Sequence, residues 1–354
     1  MKRLTPKRWD LKAELAKNGV FIALILLIVF FSSVNRNFLS VNNGLNILQQ
    51  VAELGLIAIP LAMLLIAGVV DLSVGSIASA SAVIAGLTMA QTGSMPIGLL
   101  AGLGFGLIAG AINGVLVAYL GFNPIVITLG FLSVWGGLAM LLSGGRTIPR
   151  ADLPEAFRTL GSLAIGPVPF RLLLLLVVAL LGWYLLSRHR VGRAIYAIGG
   201  NPRAAHMMGL DVVRTRFGLY VAIGLLSAVA GIMLGAKMQS ISPALGVSME
   251  MNALTVVLLG GIAFAGGAGR FSGVIAGLLF YGVLRNGLVF MQASPFLQTV
   301  IVGLTLVLAV SLDESIQKIV KRAWARRGRQ ALASLDAEAD NGASELNRPE
   351  PTRA

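Results

Sequence analysis

Ten stretches of mostly apolar residues succeed one another along the chain, at about 19–34, 51–69, 74–91, 96–119, 125–143, 170–187, 216–236, 251–265, 271–291 and 296–312. A helix needs about 20 such residues to cross the hydrocarbon core of a bilayer, and only helices and closed barrels satisfy their own backbone there. Glycine and proline mark the gaps, as in Thr92-Gly93-Ser94-Met95-Pro96 and Gly121-Phe122-Asn123-Pro124. The pattern predicts an all-α polytopic membrane protein with about ten transmembrane helices. Composition points the same way, since 56% of the 354 residues are hydrophobic and only 12% charged. Soluble domains carry about 25% charged residues, so a water-facing enzyme, a disordered chain and a domain on a single anchor are excluded.

The net charge of +13 is not spread evenly. Six basic residues lie in Met1–Lys17, six between Arg188 and Arg216, and eight between Asp313 and Ala354. Basic clusters beside apolar spans mark the cytoplasmic side. Ten crossings from a cytoplasmic N-terminus place all three there, and an odd number would not. This gives a basic N-terminus (1–17), a transmembrane domain (18–313) with a cytoplasmic loop at 188–215, and a cytoplasmic tail (314–354). The tail reads as a helix end along the membrane surface followed by a disordered terminus. Met1–Lys17 is no secretory signal, because no small-residue cleavage site follows the first apolar run. The clusters lack the interleaved aromatic residues and glycines of a nucleic-acid surface, so no nucleic acid is expected as a partner.

Polar residues inside such a chain are few, and each has a bland reading beside the functional one. Asp71 and Ser73 follow the second span, where either can cap the next helix or face a transport path. Arg285 lies well inside the ninth span and should face protein or water, paired with Glu53 or Glu250 or lining a path. Asn113, Asn123, Thr128 and Gln298 can bond across helices or touch a substrate. The four-residue spacing of Gly102, Gly106, Gly110 and Gly114 makes a groove for a neighbouring backbone.

Catalytic sets are missing from the sequence. Both histidines, His189 and His206, fall in the 188–215 loop, and cysteine is absent. Gly246-Val247-Ser248 looks like a membrane serine-protease motif but has no intramembrane histidine to activate it. No metal site is expected, and no phosphate-binding loop of the G-x-x-x-x-G-K-[ST] type occurs. The chain therefore reads as a transport subunit and not an enzyme; if ATP drives it, another subunit binds the nucleotide.

The most informative polar segment is Ile198-Gly199-Gly200-Asn201-Pro202-Arg203-Ala204-Ala205-His206-Met207-Met208-Gly209-Leu210. Asn201 is a favoured N-cap, Pro202 suits the first helical position, and Gly209 can supply a left-handed stop. A helix of about seven residues is roughly 10 Å long and does not stand alone. It is held either by this protein's own helix ends or by a partner's groove.

Four stretches in order resemble the permease subunits of bacterial ribose-type ABC importers, over about Asn46 to Glu314. They are Asp71-Leu-Ser-Val-Gly75-Ser76, Asn113-Gly114 with Pro124-Ile-Val-Ile-Thr128-Leu-Gly130, the Gly199–Gly209 segment, and the C-terminal set Glu250, Gly260-Gly261, Asn286-Gly287-Leu288 and Gln298. The resemblance implies a multi-pass protein of the bacterial inner membrane that forms a sugar path with a second permease chain, identical or a sister. It implies two cytoplasmic ATPase subunits holding ATP-Mg, a periplasmic sugar-binding protein, surrounding lipid, and no cofactor on this chain. It casts Gly200, Asn201, Pro202, Arg203, Ala204, Ala205 and Gly209 as the ATPase-coupling loop. Ser76, Glu250, Asn252 and Asn286 join Asp71, Ser73, Asn113, Asn123, Thr128, Arg285 and Gln298 as candidate path or helix-contact residues. Val69, Ile125, Asn252 and Thr255 depart from the family pattern, so the sugar (ribose, xylose, galactose, rhamnose or an autoinducer type) stays open. A channel, a secondary transporter, or a related permease for branched amino acids or nucleosides are the alternatives.

Overall fold

The structure is a computed structural model and describes residues 11–309 and Ser311, with side chains from residue 19 onward. The expectations for the basic N-terminus and for the 314–354 tail fall almost wholly outside the described residues. Helices α1 (Leu11–Val34), α2 (Val41–Ile66), α3 (Val74–Thr92), α4 (Met95–Gly114, continued by a π turn Val115–Tyr119) and α5 (Pro124–Ser143) come first. A linker with the short α6 (Glu155–Leu160) and a two-stranded hairpin, β1 (Ala164–Ile165) and β2 (Val168–Pro169), leads to α7 (Phe170–Ser187). Then follow α8 (Arg190–Gly200), α9 (Pro202–Met207), α10 (Val212–Met238), α11 (Met249–Leu259) and α12 (Phe271–Phe290). The last is α13 (Pro295–Ala309).

Among the described residues seven helices are long and apolar enough to cross a membrane, and three shorter apolar helices (Gly19–Val34, Met249–Leu259, Pro295–Ala309) occupy the remaining expected stretches. Three boundaries differ from expectation. The second helix begins at Val41, ten residues earlier than its apolar run, because Ser40 caps it by accepting from the Asn43 N–H at 3.2 Å. Its first turns are rich in asparagine and glutamine, which an apolar count passes over. The eighth stretch is not a full span. α11 stops at Leu259, where Gly260 and Gly261 (φ +77°) turn the chain into a loop. Finally, the 188–215 loop holds two helices where one was expected, since His189 Nδ1 accepts from the Val191 N–H and starts α8.

The core forms around α10, a helix of 27 residues and so about 40 Å long, packed between α2, α3 and α4. Its small residues set the distances. A Cβ on Gly224 would lie 2.7 Å from the Gly110 Cα, and one on Gly231 would lie 2.6 Å from the Ala78 carbonyl carbon. The Gly102–Gly114 groove of α4 receives α3 and α10 in this way: Gly102 meets Ala85, Gly106 meets Ala228 and Gly114 meets Phe217. In lipid, close backbone approach replaces the hydrophobic drive that holds soluble helices together.

The two ends of the bundle differ. At one end lie α8 and α9; at the other lie the β1–β2 hairpin and α6, whose Phe157 is fully buried beside Gly235 of α10. Two segments of irregular backbone enter from these ends. The α2–α3 link, Ala67–Ser73, reaches Tyr220, eight residues and thus about 12 Å along α10 from Val212. From the hairpin end, Gln239–Ser248 turns back inward until Gly246 packs on the Gly75 backbone. Gly231 faces Ala78 seven residues before α10 ends, and Gly75 is three residues deeper, so α11 starts about 15 Å inside the hairpin end. It is a half-helix.

Replacing Gly224 with Leu should destabilise the bundle by at least about 1–3 kcal/mol through overpacking. Gly104→Ala, at a position with open space, should be neutral or slightly stabilising. Thermal unfolding of both variants in detergent checks this contrast.

Candidate functional site

The inner irregular segment is held by one carboxylate. Asp71 is fully buried. Its Oδ1 accepts from the Ser73 N–H (2.8 Å) and the Ser73 hydroxyl (2.6 Å), and its Oδ2 accepts from Asn113 Nδ2 (3.0 Å). Asn113 Nδ2 also donates to Ser73 Oγ at 2.8 Å. This ties the start of α3 to the end of α4. Neither Asp71 nor Ser73 caps α3 in the expected sense: Ser73 occupies the cap position without a side-chain bond to the helix, and Asp71 closes the turn before it. Ser76 Oγ donates to the Ser73 carbonyl at 2.8 Å. From α10, the Tyr220 hydroxyl donates to the Val70 carbonyl (2.8 Å) and Arg216 Nη2 to the Ala67 carbonyl (3.1 Å). Sequence reading missed both, because Arg216 counts there as one more cytoplasmic charge. The available signal was their spacing of four, which puts them on one helix face.

Towards the hairpin end a cavity of about 680 Å³ opens between α2, α10, α12 and the returning segment, lined by Gln50, Glu53, Lys237, Asn252, Arg285 and Gln298 among others. A second cavity of about 470 Å³ shares Asn252, Arg285 and Gln298 with it and runs along α13. The expected pairing of Arg285 with Glu53 or Glu250 is not formed. Arg285 Nη1 donates to the Tyr281 hydroxyl at 3.4 Å on its own helix and is otherwise exposed to these cavities. Glu53 instead lies between Arg171 (3.7 Å) of α7 and Lys237 (3.5 Å) of α10, and Arg171 also donates to Gln49. Arg171 begins one apolar run and Lys237 ends another, and a tally of charges at span ends would have brought the three together. Gln298 Nε2 donates to the Ala293 carbonyl at 3.0 Å, fixing the start of α13.

The other expected residues separate by environment. Asn123 is exposed and caps α5, accepting from the Ile125 N–H at 2.9 Å. Thr128 is buried and bonds back to the Pro124 carbonyl at 2.8 Å within α5. Asn286 is buried in α12, and its Oδ1 has no hydrogen-bond partner among the described residues. Glu250, in the first turn of α11, is buried, and its Oε2 has no hydrogen-bond partner among the described residues.

At the α8–α9 end the expected short helix is present. Asn201 Oδ1 accepts from the Ala204 N–H at 3.0 Å, Pro202 opens α9, and Gly209 takes φ +80°. Ala205 is buried, whereas Met207 and Met208 are 88% and 79% exposed. The preceding helix is seated by glycine. Gly199 and Gly200 lie against Gly267, Gly266 lies against Gly68, and the Gly267 N–H donates to the Ile66 carbonyl at 2.8 Å. Gly68 adopts φ +77°, which admits no side chain without strain. Arg203 and Ala204 are exposed beside the cap.

A helical bundle with seven membrane-length helices, cavities lined partly by polar groups and irregular backbone at depth is the architecture of a multi-pass membrane protein. The family described as "Branched-chain amino acid transport system / permease component" matches residues 43–310, and the chain belongs to it. The ribose import permease protein RbsC of Bacillus subtilis is 35% identical over 87% of this chain and 95% of its own length. The fructose import permease protein FrcC of Rhizobium meliloti is 33% identical over 85% of each chain. The L-arabinose transport system permease protein AraH of Escherichia coli is 33% identical over 85% of this chain and 91% of its own. No solved structure matches. The protein is thus a multi-pass protein of the bacterial inner membrane.

Asp71→Ala leaves three buried donors without their acceptor, at about 1–3 kcal/mol each. It should abolish stable accumulation in the membrane, while Asn123→Ala, at an exposed cap, costs about 1 kcal/mol. Fluorescence-detected size exclusion of tagged variants separates the two outcomes.

Proposed function

We propose that this chain is the membrane-spanning permease subunit of an ATP-driven importer for a monosaccharide. Sugar-import permeases are its relatives over nearly their whole length, and this likeness carries the reading. Two such chains, or one with a sister permease, would enclose the path. A periplasmic binding protein would deliver the sugar, and two cytoplasmic ATPase subunits would hold ATP-Mg. The Gly200–Gly209 segment would meet the ATPases. Its support is physical: α9 has six residues, too few to persist alone, yet it is capped and anchored through Ala205 while Met207 and Met208 face outward. Methionine is an adaptable apolar surface for a partner's groove. The cavities around Arg285 would form the outer part of the path, with Asn252 and Gln298 as uncharged hydrogen-bonding groups.

Replacing Asn201-Pro202 by Gly-Gly removes the cap and the fixed first turn. A subunit bearing a phosphate-binding loop should co-purify with the wild-type chain in mild detergent and be lost from this variant, with the membrane part still folded. A wild-type chain that elutes alone under several gentle conditions would favour a channel or secondary transporter. Arg285→Ala should lower ATP-dependent sugar uptake about tenfold, as expected for one lost charged hydrogen-bond donor. Normal yield with normal uptake would remove Arg285 from the path. The family description also names branched-chain amino acids, and competition between sugars and L-leucine for uptake decides that point.

A further inference from the structure

The returning segment has a second side. Opposite the Arg285 cavity, Pro243–Glu250 faces α3 and α5 across a groove of about 350 Å³, within the usual size range of small-molecule sites. Its polar lining comes from three elements: Ser76 and Ser79 of α3, Ser133 of α5, and Ser248 with Glu250 at the start of α11. Ser79 Oγ already accepts the Gly246 N–H at 2.8 Å, which fixes the loop. Ser248 stands in the left-handed region at φ +66° without capping α11. Non-glycine residues in that conformation mark strained, often functional sites. On the α5 side Gly136 and Gly137 present bare backbone, with nothing closer than 3.8 Å to a Cβ built on Gly136. Glu250 supplies the second observation. It lines the groove, is 7% exposed as a residue, and its Oε2, set against the Gly75 backbone, has no hydrogen-bond partner among the described residues. A buried carboxylate oxygen without a donor is costly unless something else brings one.

The chemistry of the lining selects the ligand class. One carboxylate among serine hydroxyls repels anions, and no cluster of three metal-ligating side chains occurs among the described residues. Hydroxyl-bearing ligands fit, because Glu250 accepts from O–H groups and serines both donate and accept. Leu132 and Met140 add apolar surface for the C–H faces of a ring.

We propose that this groove is a polyol subsite at the tip of the half-helix, where Glu250 accepts from sugar hydroxyls flanked by Ser76 and Ser133. The proposal rests on the sugar-importer reading above and deepens it. Discontinuous helices whose ends meet substrate inside the membrane are a general device of transporters.

The chain contains no cysteine, so a single introduced thiol, read on this chain's own gel band, reports without background from it. Ser133 is exposed to the groove, and Ser133→Cys in the intact transport complex is labelled with a membrane-impermeant maleimide. Excess D-ribose, D-fructose or L-arabinose should slow the labelling, and L-leucine at equal concentration should not. Adding Glu250→Gln should raise the half-protecting sugar concentration about tenfold, the loss of one charge-assisted hydrogen bond. Should that double variant fail to accumulate, Ser76→Ala in the Ser133→Cys background should shift the same midpoint severalfold. Unchanged labelling with all three sugars, while ATP-dependent uptake of any of them persists, overturns the subsite alone. Protection by L-leucine in place of the sugars also overturns it. A wild-type complex that takes up no sugar overturns the reading on which the subsite rests.

Discussion

Irregular backbone inside a membrane must find hydrogen-bond partners within the protein, and the rest of this structure depends on how that demand is met. The Ala67–Ser73 link is served by its own Asp71, by Asn113 of α4, and by Tyr220 and Arg216 of α10. Each side chain closes a gap that lipid could not. The network therefore sets where α3 begins and how α4 and α10 stand against it. A carboxylate at the turn serves this purpose better than an amide, because both oxygens accept and none of its atoms needs an acceptor in return.

The same demand explains the glycines. A polar side chain can bridge neighbouring helices only if the backbones are close, and Gly106, Gly110, Gly224 and Gly231 let α4, α3 and α10 approach to backbone contact. Close packing and polar satisfaction thus support one another. Where the backbones separate, around Glu53, Lys237 and Arg285, the space becomes cavity instead, and charged groups there face an open volume.

Apolar length and basic clustering revealed most of the helices, and the capping sequence Asn201-Pro202 revealed α9, because these signals are local. The half-helix was hidden, since Met249–Leu259 continues an apolar run through Ile262 and Ala263 and only the paired glycines interrupt it. The partners of Glu53 were hidden for a different reason. Arg171 and Lys237 lie 118 and 184 positions away along the chain, and their shared place at span ends is the single hint that joins them to it. Asp71 could be singled out as an expensive residue, but its turn-closing role required Asn113 to be placed beside it by folding.

The glycine seam at the α8–α9 end has a mechanical consequence. Gly199, Gly200, Gly267, Gly266 and Gly68 meet through main chain, with no rotamer to absorb a displacement. A side chain at Gly199 or Gly267 would push α8 off this seat, because their Cβ positions fall on neighbouring backbone. α8 therefore rests directly on the end of α2 at Ile66, five residues from Asp71. A displacement of α8 in that direction would meet the chain leading to the carboxylate turn through backbone alone.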